Sequence, residues 1–234
     1  MAAWLRVALV VVLLLPGVAR AQCRQALLLA LDVSGSVDAR EYRLQLDGLA
    51  AALMDPAVVG AFQAMPGAPV RLAVMEWSGA GFQRVVLPWQ EVQGRADLAG
   101  IADHLRRVRR VPADPSTAIG SALLRGAQLL ADQMGCWRRV MDVSGDGKAN
   151  TGPLPQSVTL TPADIIVNGL VVGEPQDPRG RSPGIGELVA YYRAYVIRGD
   201  SAFVEAAQGF EDFEAAMIRK LLRELQIVAV SEAR

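Results

Sequence analysis

Residues that usually carry covalent or soft-metal chemistry are scarce in this chain. Its 234 residues include one histidine, His104, and two cysteines, Cys23 and Cys136. With a single histidine in the chain, a Cys/His nucleophile is disfavoured. Lysine is nearly absent too, with only Lys148 and Lys220, so arginine carries most of the basic charge. Basic and acidic residues number 24 each, and no bulk field draws nucleic acid or an anionic bilayer. Aromatic residues make up 6%, and no aromatic platform, Lys/Arg stripe or repeat announces a ligand. No stretch after the N-terminus reaches the ~20 apolar residues that a spanning helix needs.

The N-terminus reads as a secretory signal peptide over residues 1–21. Arg6 precedes an apolar run, Val7 to Leu15, which Pro16 breaks ahead of the small-residue cleavage site Ala19-Arg20-Ala21. Gln22 before Cys23 does not suit a lipid anchor. Cleavage removes Arg6 and Arg20, leaving 22 basic against 24 acidic residues, a net charge of 22 − 24 = −2. The remaining 22–234 segment is long enough for one domain with a sizeable core, and the 52% hydrophobic composition of the whole chain argues against disorder. We expect a periplasmic or secreted monomer without a membrane span. In that oxidising compartment a disulfide is the leading reading of the two cysteines.

The chain is organised around Ala26 to Asp38, ALLLALDVSGSVD. Apolar residues needing cover on both faces stop at Asp32, as in a central parallel strand. Asp32, Ser34 and Ser36 then follow at i, i+2 and i+4, offering hard oxygen ligands where a strand ends and a helix begins. Open α/β sheets bind ligands at such an edge.

The remaining pattern alternates. A helix is predicted from about Arg40 to Leu53, with a short one opening at Asp55-Pro56. Strands Val70–Trp77 and Gln83–Leu87 lie too close for a parallel crossover and form a hairpin. Ala96 to Arg110 is helical, with Leu98, Ile101, Leu105 and Val108 inward. His104 and the four arginines there read as a solvated face, a basic docking patch being the sharper alternative. Thr117 to Gln133 is helical with Ile119, Leu123, Leu124 and Leu130 inward, and Arg138 to Val143 is a strand. After a Pro-rich loop around Thr151 to Thr161 come strand Ile165–Val172, helix Ile185–Val196, strand Ala202–Ala206 and an amphipathic helix, Phe210–Leu225. The order implies an α/β fold, a mainly parallel six-stranded sheet with one antiparallel edge strand and helices on both faces.

Asp32-Val33-Ser34-Gly35-Ser36, Thr117 ahead of a helix, and Asp146-Gly147 after a strand together resemble the metal-ion-dependent adhesion site of the von Willebrand factor A domain family. The resemblance spans about Gln25 to Leu225 and implies that family's doubly wound sheet. It further implies a Mg²⁺ (or Mn²⁺) ion held by the hydroxyls of Ser34, Ser36 and Thr117, with Asp32 and Asp146 balancing its charge and one position open for an Asp or Glu of a protein partner. The family's strand order would set Cys23 and Cys136 at one height on neighbouring strands, within disulfide reach. Its last helix, here Phe210 to Leu225, would shift when a partner binds. Within the family the chain is most similar to compact secreted bacterial proteins of undefined role, DUF1194-like.

Other readings compete. Asp32 as a helix cap with Ser34 and Ser36 as turn formers explains neither Thr117 nor Asp146. Asp142 to Gly147, DVSGDG, imitates a calcium loop, but Pro153 stands where that loop needs an acid. Asp142 reads as a strand residue facing a polar neighbour, or as the second carboxylate in place of Asp146. A Mg²⁺-dependent phosphoryl hydrolase or transferase with Asp32 as nucleophile needs a carboxylate two residues on, where Ser34 stands; Lys148 would steady the phosphate. A binding module fits better than an enzyme. Arg198-Gly199-Asp200 reads as a turn, not an adhesion motif.

Overall fold

The computed structural model describes residues 23–174 and 184–231, with side chains as far as Leu225. The expected signal peptide, residues 1–21, lies outside them. Six strands form one sheet: β1 (Cys23–Asp32), β2 (Val70–Trp77), β3 (Gln83–Val92), β4 (Cys136–Gly145), β5 (Ile166–Gly173) and β6 (Val204–Gln208). Their order is β3-β2-β1-β4-β5-β6. Every pairing is parallel except β2 with β3. The chain thus steps outward from β1 in one direction, returns to β4, and steps outward in the other. Between the carboxyl ends of β1 and β4 lies the crevice where such sheets take ligands.

Period-two alternation divides β1 between two cores. Leu27, Leu29 and Leu31 pack with α1 (Ala39–Ala52), α2 (Pro56–Gln63), α3 (Arg95–Arg107) and α6 (Phe213–Ser231). Ala26, Leu28 and Ala30 pack with α4 (Ile119–Ala131) and α5 (Ile185–Tyr195). All ten residues of β1 are buried, as a central parallel strand requires. Helix starts carry their own signals. Asp38 accepts from Glu41 N, and Glu41 accepts in return from Asp38 N, a reciprocal cap on α1. Asp55 caps α2, with Pro56 in the first turn.

Two details differ from expectation, the extent of β3 and the exposure of Leu124, whereas the Pro-rich loop holds the one helical turn it had room for. β3 runs through Pro88 to Val92 because it is an edge strand, where a missing N–H costs no ladder bond on the open side, and its pairing with β2 shifts register on either side of Val74. Leu124 points outward, 37% exposed. The buried stripe of α4 runs through Ile119, Ala122, Leu123, Gly126, Ala127 and Leu130, and Leu124 lies just beyond its edge. The Pro-rich segment contains a single 3₁₀ turn, Pro155–Ser157.

Small residues set the close approach of α4 to that segment. A Cβ on Gly120 would lie 2.1 Å from the Pro153 carbonyl oxygen. Gly120→Ala gains about 1 kcal/mol in helix propensity, yet the overlap with backbone is expected to cost about 1–3 kcal/mol. Net destabilisation in urea melts is the predicted result, and a more stable variant would contradict this packing.

Candidate metal centre

β1 delivers Asp32 to the sheet edge, buried at 1% exposure. Its Oδ1 accepts from Ser34 N at 2.8 Å, which fixes the first turn of the loop. Its Oδ2 is buried without a hydrogen-bond donor. Ser34 Oγ lies 3.3 Å from Ser36 Oγ, and Ser36 Oγ donates to Asp146 Oδ1 at 2.7 Å across the β1–β4 crevice. Asp32 and Ser34 are buried, Ser36 is exposed and Asp146 is half-buried, so the cluster opens to solvent on its Ser36 side.

Thr117 enters through its backbone. Asn150 clamps it twice: Thr117 N donates to Asn150 Oδ1 at 2.8 Å, and Asn150 N donates to Thr117 O at 2.9 Å. The neighbouring Ala118 N donates to Ser78 O, and Pro115 O accepts from Gly35 N, each at 2.8 Å. A Cβ on Gly35 would lie 2.8 Å from Pro115 Cβ, so a glycine is what lets the serine loop and the threonine loop meet.

Two acids, one buried and one half-buried, dominate the electrostatics of the cluster. Burial, then the charge of Asp146, pushes the Asp32 carboxyl up to about 7. Burial likewise raises Asp146. Two acids held together out of water disfavour their own ionisation, and a cation between them reverses that cost. Among the described residues no group of three or more His, Cys, Asp and Glu side chains is arranged to hold a metal. The donors gathered here are instead two carboxylates and hydroxyls, hard oxygens suited to Mg²⁺ or Mn²⁺.

The other sequence candidates lie elsewhere. Asp142 faces the opposite side of the sheet, its Oδ1 2.6 Å from Lys220 Nζ, so Asp146 rather than Asp142 stands beside Ser36. Lys148 pairs with Glu187 of α5 and lies over the Tyr191 ring. His104 is exposed and its Nε2 reaches Val86 O at 2.7 Å. Gly199 adopts φ +96°, and Arg198 bonds carbonyls of Tyr195, Ile197 and Pro155, which makes the Arg-Gly-Asp stretch a turn. Cys23 and Cys136 are bonded to each other, opposite one another in the β1–β4 register.

Three supporting residues escaped the sequence reading. Gln45 of α1 donates to Asp32 O at 3.0 Å and accepts from Ser144 Oγ at 3.3 Å, tying the ends of β1 and β4. Asn150 is the Thr117 clamp; its only sequence signal is a polar residue in the turn after Asp146-Gly147. Tyr192 of α5 has a buried, unpartnered hydroxyl, and a Cβ on Gly145 would lie 2.5 Å from that hydroxyl and 3.0 Å from Asp32 Oδ2. Both groups therefore crowd one spot behind the site, and the charges of Asp32 and Asp146 add to burial in raising the Tyr192 phenol.

This sheet order, with helices on both faces and a ligand-like loop at the β1–β4 switch, is the von Willebrand factor A fold. Proximal thread matrix protein 1 from the mussel byssus superimposes with a TM-score of 0.60 at 16% identity, covering 88% of this chain and 48% of that one. The chain thus spans about half the length of that protein. A second structure of the mussel protein, with a zinc-occupied MIDAS motif, matches at 0.59 and 17%, over 88% and 48%. An aerotolerance-related membrane protein of Bacteroides fragilis matches at 0.56 and 19%, over 85% of this chain and 98% of that one. The chain belongs to the family described as "Protein of unknown function (DUF1194)", which it matches over residues 22–229. No curated protein matches it.

Proposed function

We propose that this protein is a secreted or periplasmic adhesion-type module that binds a protein partner through a divalent cation, Mg²⁺ or Mn²⁺, at Asp32, Ser34, Ser36, Thr117 and Asp146. The observation that carries this reading is the Ser36–Asp146 hydrogen bond, which joins hydroxyl to carboxylate across 110 residues beside the donorless Asp32 Oδ2. A bound cation supplies positive charge and an open coordination position for an Asp or Glu of the partner. Ser34 and Ser36 contribute neutral oxygens, so they leave more of that charge for the incoming carboxylate than acids would. Gln45 and Asn150 hold the two loops in place beforehand, which limits the ordering cost of binding. The mussel structure with zinc in its MIDAS motif supports the chemistry by likeness of fold.

The rest of the reading is consistent with export. Residues 1–21 act as a cleaved leader, 22–234 form one domain that works as a monomer, and the disulfide suits an oxidising compartment. No single helix among the described residues is long and apolar enough to cross a membrane. Phosphoryl transfer by Asp32 is less well supported, because its carboxylate is buried and Lys148 is already paired with Glu187.

Calorimetric titration tests the metal. Wild type is expected to give a one-site Mg²⁺ or Mn²⁺ isotherm, and Asp32→Ala to lose it with its far-UV spectrum unchanged. Heat-silent titrations with both ions at millimolar concentration, matched by an unshifted melting temperature, would remove the basis for the site. Turnover of an aryl phosphate that depends on Mg²⁺ and on Asp32 would favour the hydrolase instead.

A further inference from the structure

Beside the metal loop lies an arginine-lined groove. The last turn of α3 and the chain leaving it read Arg106-Arg107-Val108-Arg109-Arg110. With Tyr42 and Arg43 of α1 they line an open groove of about 750 Å³. Its charges are unevenly neutralised. Arg43 pairs with Asp47 and Arg106 with Asp103. Arg107 and Arg109 are exposed, and their guanidinium groups have no carboxylate or carbonyl partner among the described residues. Arg110 lies over the Tyr42 ring at 5.8 Å. The buried acid Glu76 accepts from Tyr42 and is faced by Arg84 at 3.7 Å and by the charge of Arg110.

The groove is continuous with the metal loop. Arg110 Nη2 donates to the carbonyls of Val33 and Ser34, at 3.2 and 3.3 Å. Ala39, three residues after Ser36, belongs to the same lining. A peptide whose carboxylate reaches the metal would find Arg107 and Arg109 in the adjoining lining. An extended peptide places every second side chain on one side, about 7 Å apart, and guanidinium forks match carboxylates in pairs. A nucleic acid would want stacking aromatics along a longer basic face, whereas the only aromatic ring in the lining, Tyr42, is buried beneath Arg110.

We propose that this groove docks an acidic peptide segment of the partner protein, whose Asp and Glu residues flank the carboxylate that reaches the metal. The inference deepens the metal-centred reading and rests on it for the placement of that one carboxylate. Charge steering makes the contact sensitive to ionic strength.

Fluorescence anisotropy with a labelled oligo-glutamate peptide tests it, with oligo-glutamine and a sulfated oligosaccharide as comparisons. The variant Arg107→Glu/Arg109→Glu is expected to melt like wild type, since both side chains are exposed, and to bind the acidic peptide about tenfold more weakly at low salt. Asp32→Ala is expected to lose only the part of binding that Mg²⁺ adds. Peptide binding weakened by the double variant but indifferent to Mg²⁺ would keep the groove and sink the metal reading. Binding strengthened by Mg²⁺ but untouched by the double variant would keep the metal and overturn the groove. Arginine-dependent capture of the sulfated oligosaccharide without the peptide would also overturn it, since the partner would be a polyanionic glycan.

Discussion

Replacing Lys220 by methionine is expected to cost about 3–5 kcal/mol of stability, read from urea unfolding at neutral pH. Lys220 lies on α6, fully buried against the sheet, with Nζ 2.6 Å from Asp142 Oδ1 and 3.5 Å from Glu224 Oε1. Asn168 of β5 donates to the same Glu224 oxygen. The substitution strands the Asp142 carboxylate in a desolvated layer, and that penalty exceeds what the ion pair gains over an apolar core. Replacing Asp142, Lys220 and Glu224 together by leucine or methionine should therefore recover most of the loss. A single variant within about 1 kcal/mol of wild type would mean that this layer is wet. Sliding of α6 along the sheet would have to pull Lys220 away from Asp142, so the same layer opposes the helix shift that the family resemblance implies.

The cluster also gives stability a pH dependence with a definite sign. Burial first, then the charge of Asp142, raises the Glu224 carboxyl well above its ordinary 4.5. A group whose folded pKa is raised contributes stability that is fully present below its unfolded value and lost as pH climbs through the folded one. The window opens at the ordinary carboxylate pKa and closes at the raised one. Glu224→Gln is expected to retain the low-pH stability and flatten this part of the profile. An unaltered slope would assign the pH dependence to other groups.

Loss of the Cys23–Cys136 bridge is expected to be the second large effect. The two residues are 113 positions apart, with Cα atoms at 4.3 Å and paired in the β1–β4 ladder. Opening a loop of that length releases unfolded-chain entropy worth on the order of 4 kcal/mol, an upper value where the denatured state retains structure. The urea midpoint should fall on adding reductant, and Cys23→Ala/Cys136→Ala should reproduce the shift. Metal titration of the reduced protein should be unchanged. The bridge sits at the start of a ten-residue strand whose far end carries Asp32, roughly 30 Å away. Two reactive thiols in unreduced, denatured protein, or coincident unfolding curves with and without reductant, would refute the structural role.

Local spacing determined the order and type of the elements and the ligand-like loop. The unbroken apolar run of β1, the stripes on α1, α3 and α6, and the Asp-Ser-Ser spacing after Leu31 are all set within a few residues, so they are visible without tertiary knowledge. Tertiary structure decided which far-apart polar groups meet. Nothing near Asn150 in the chain points to Thr117, and nothing near Gln45 points to Asp32 and Ser144, because those meetings depend on how a loop and a helix settle on the finished sheet. The side of the sheet that Asp142 faces follows from strand parity, but Lys220, its partner, is supplied by a helix 78 residues later. Leu124 shows the same limit on the apolar side. Helical periodicity marks a broad hydrophobic face, and only packing against Met141 and Leu28, whose side chains lie against Gly126, decides where the buried stripe ends.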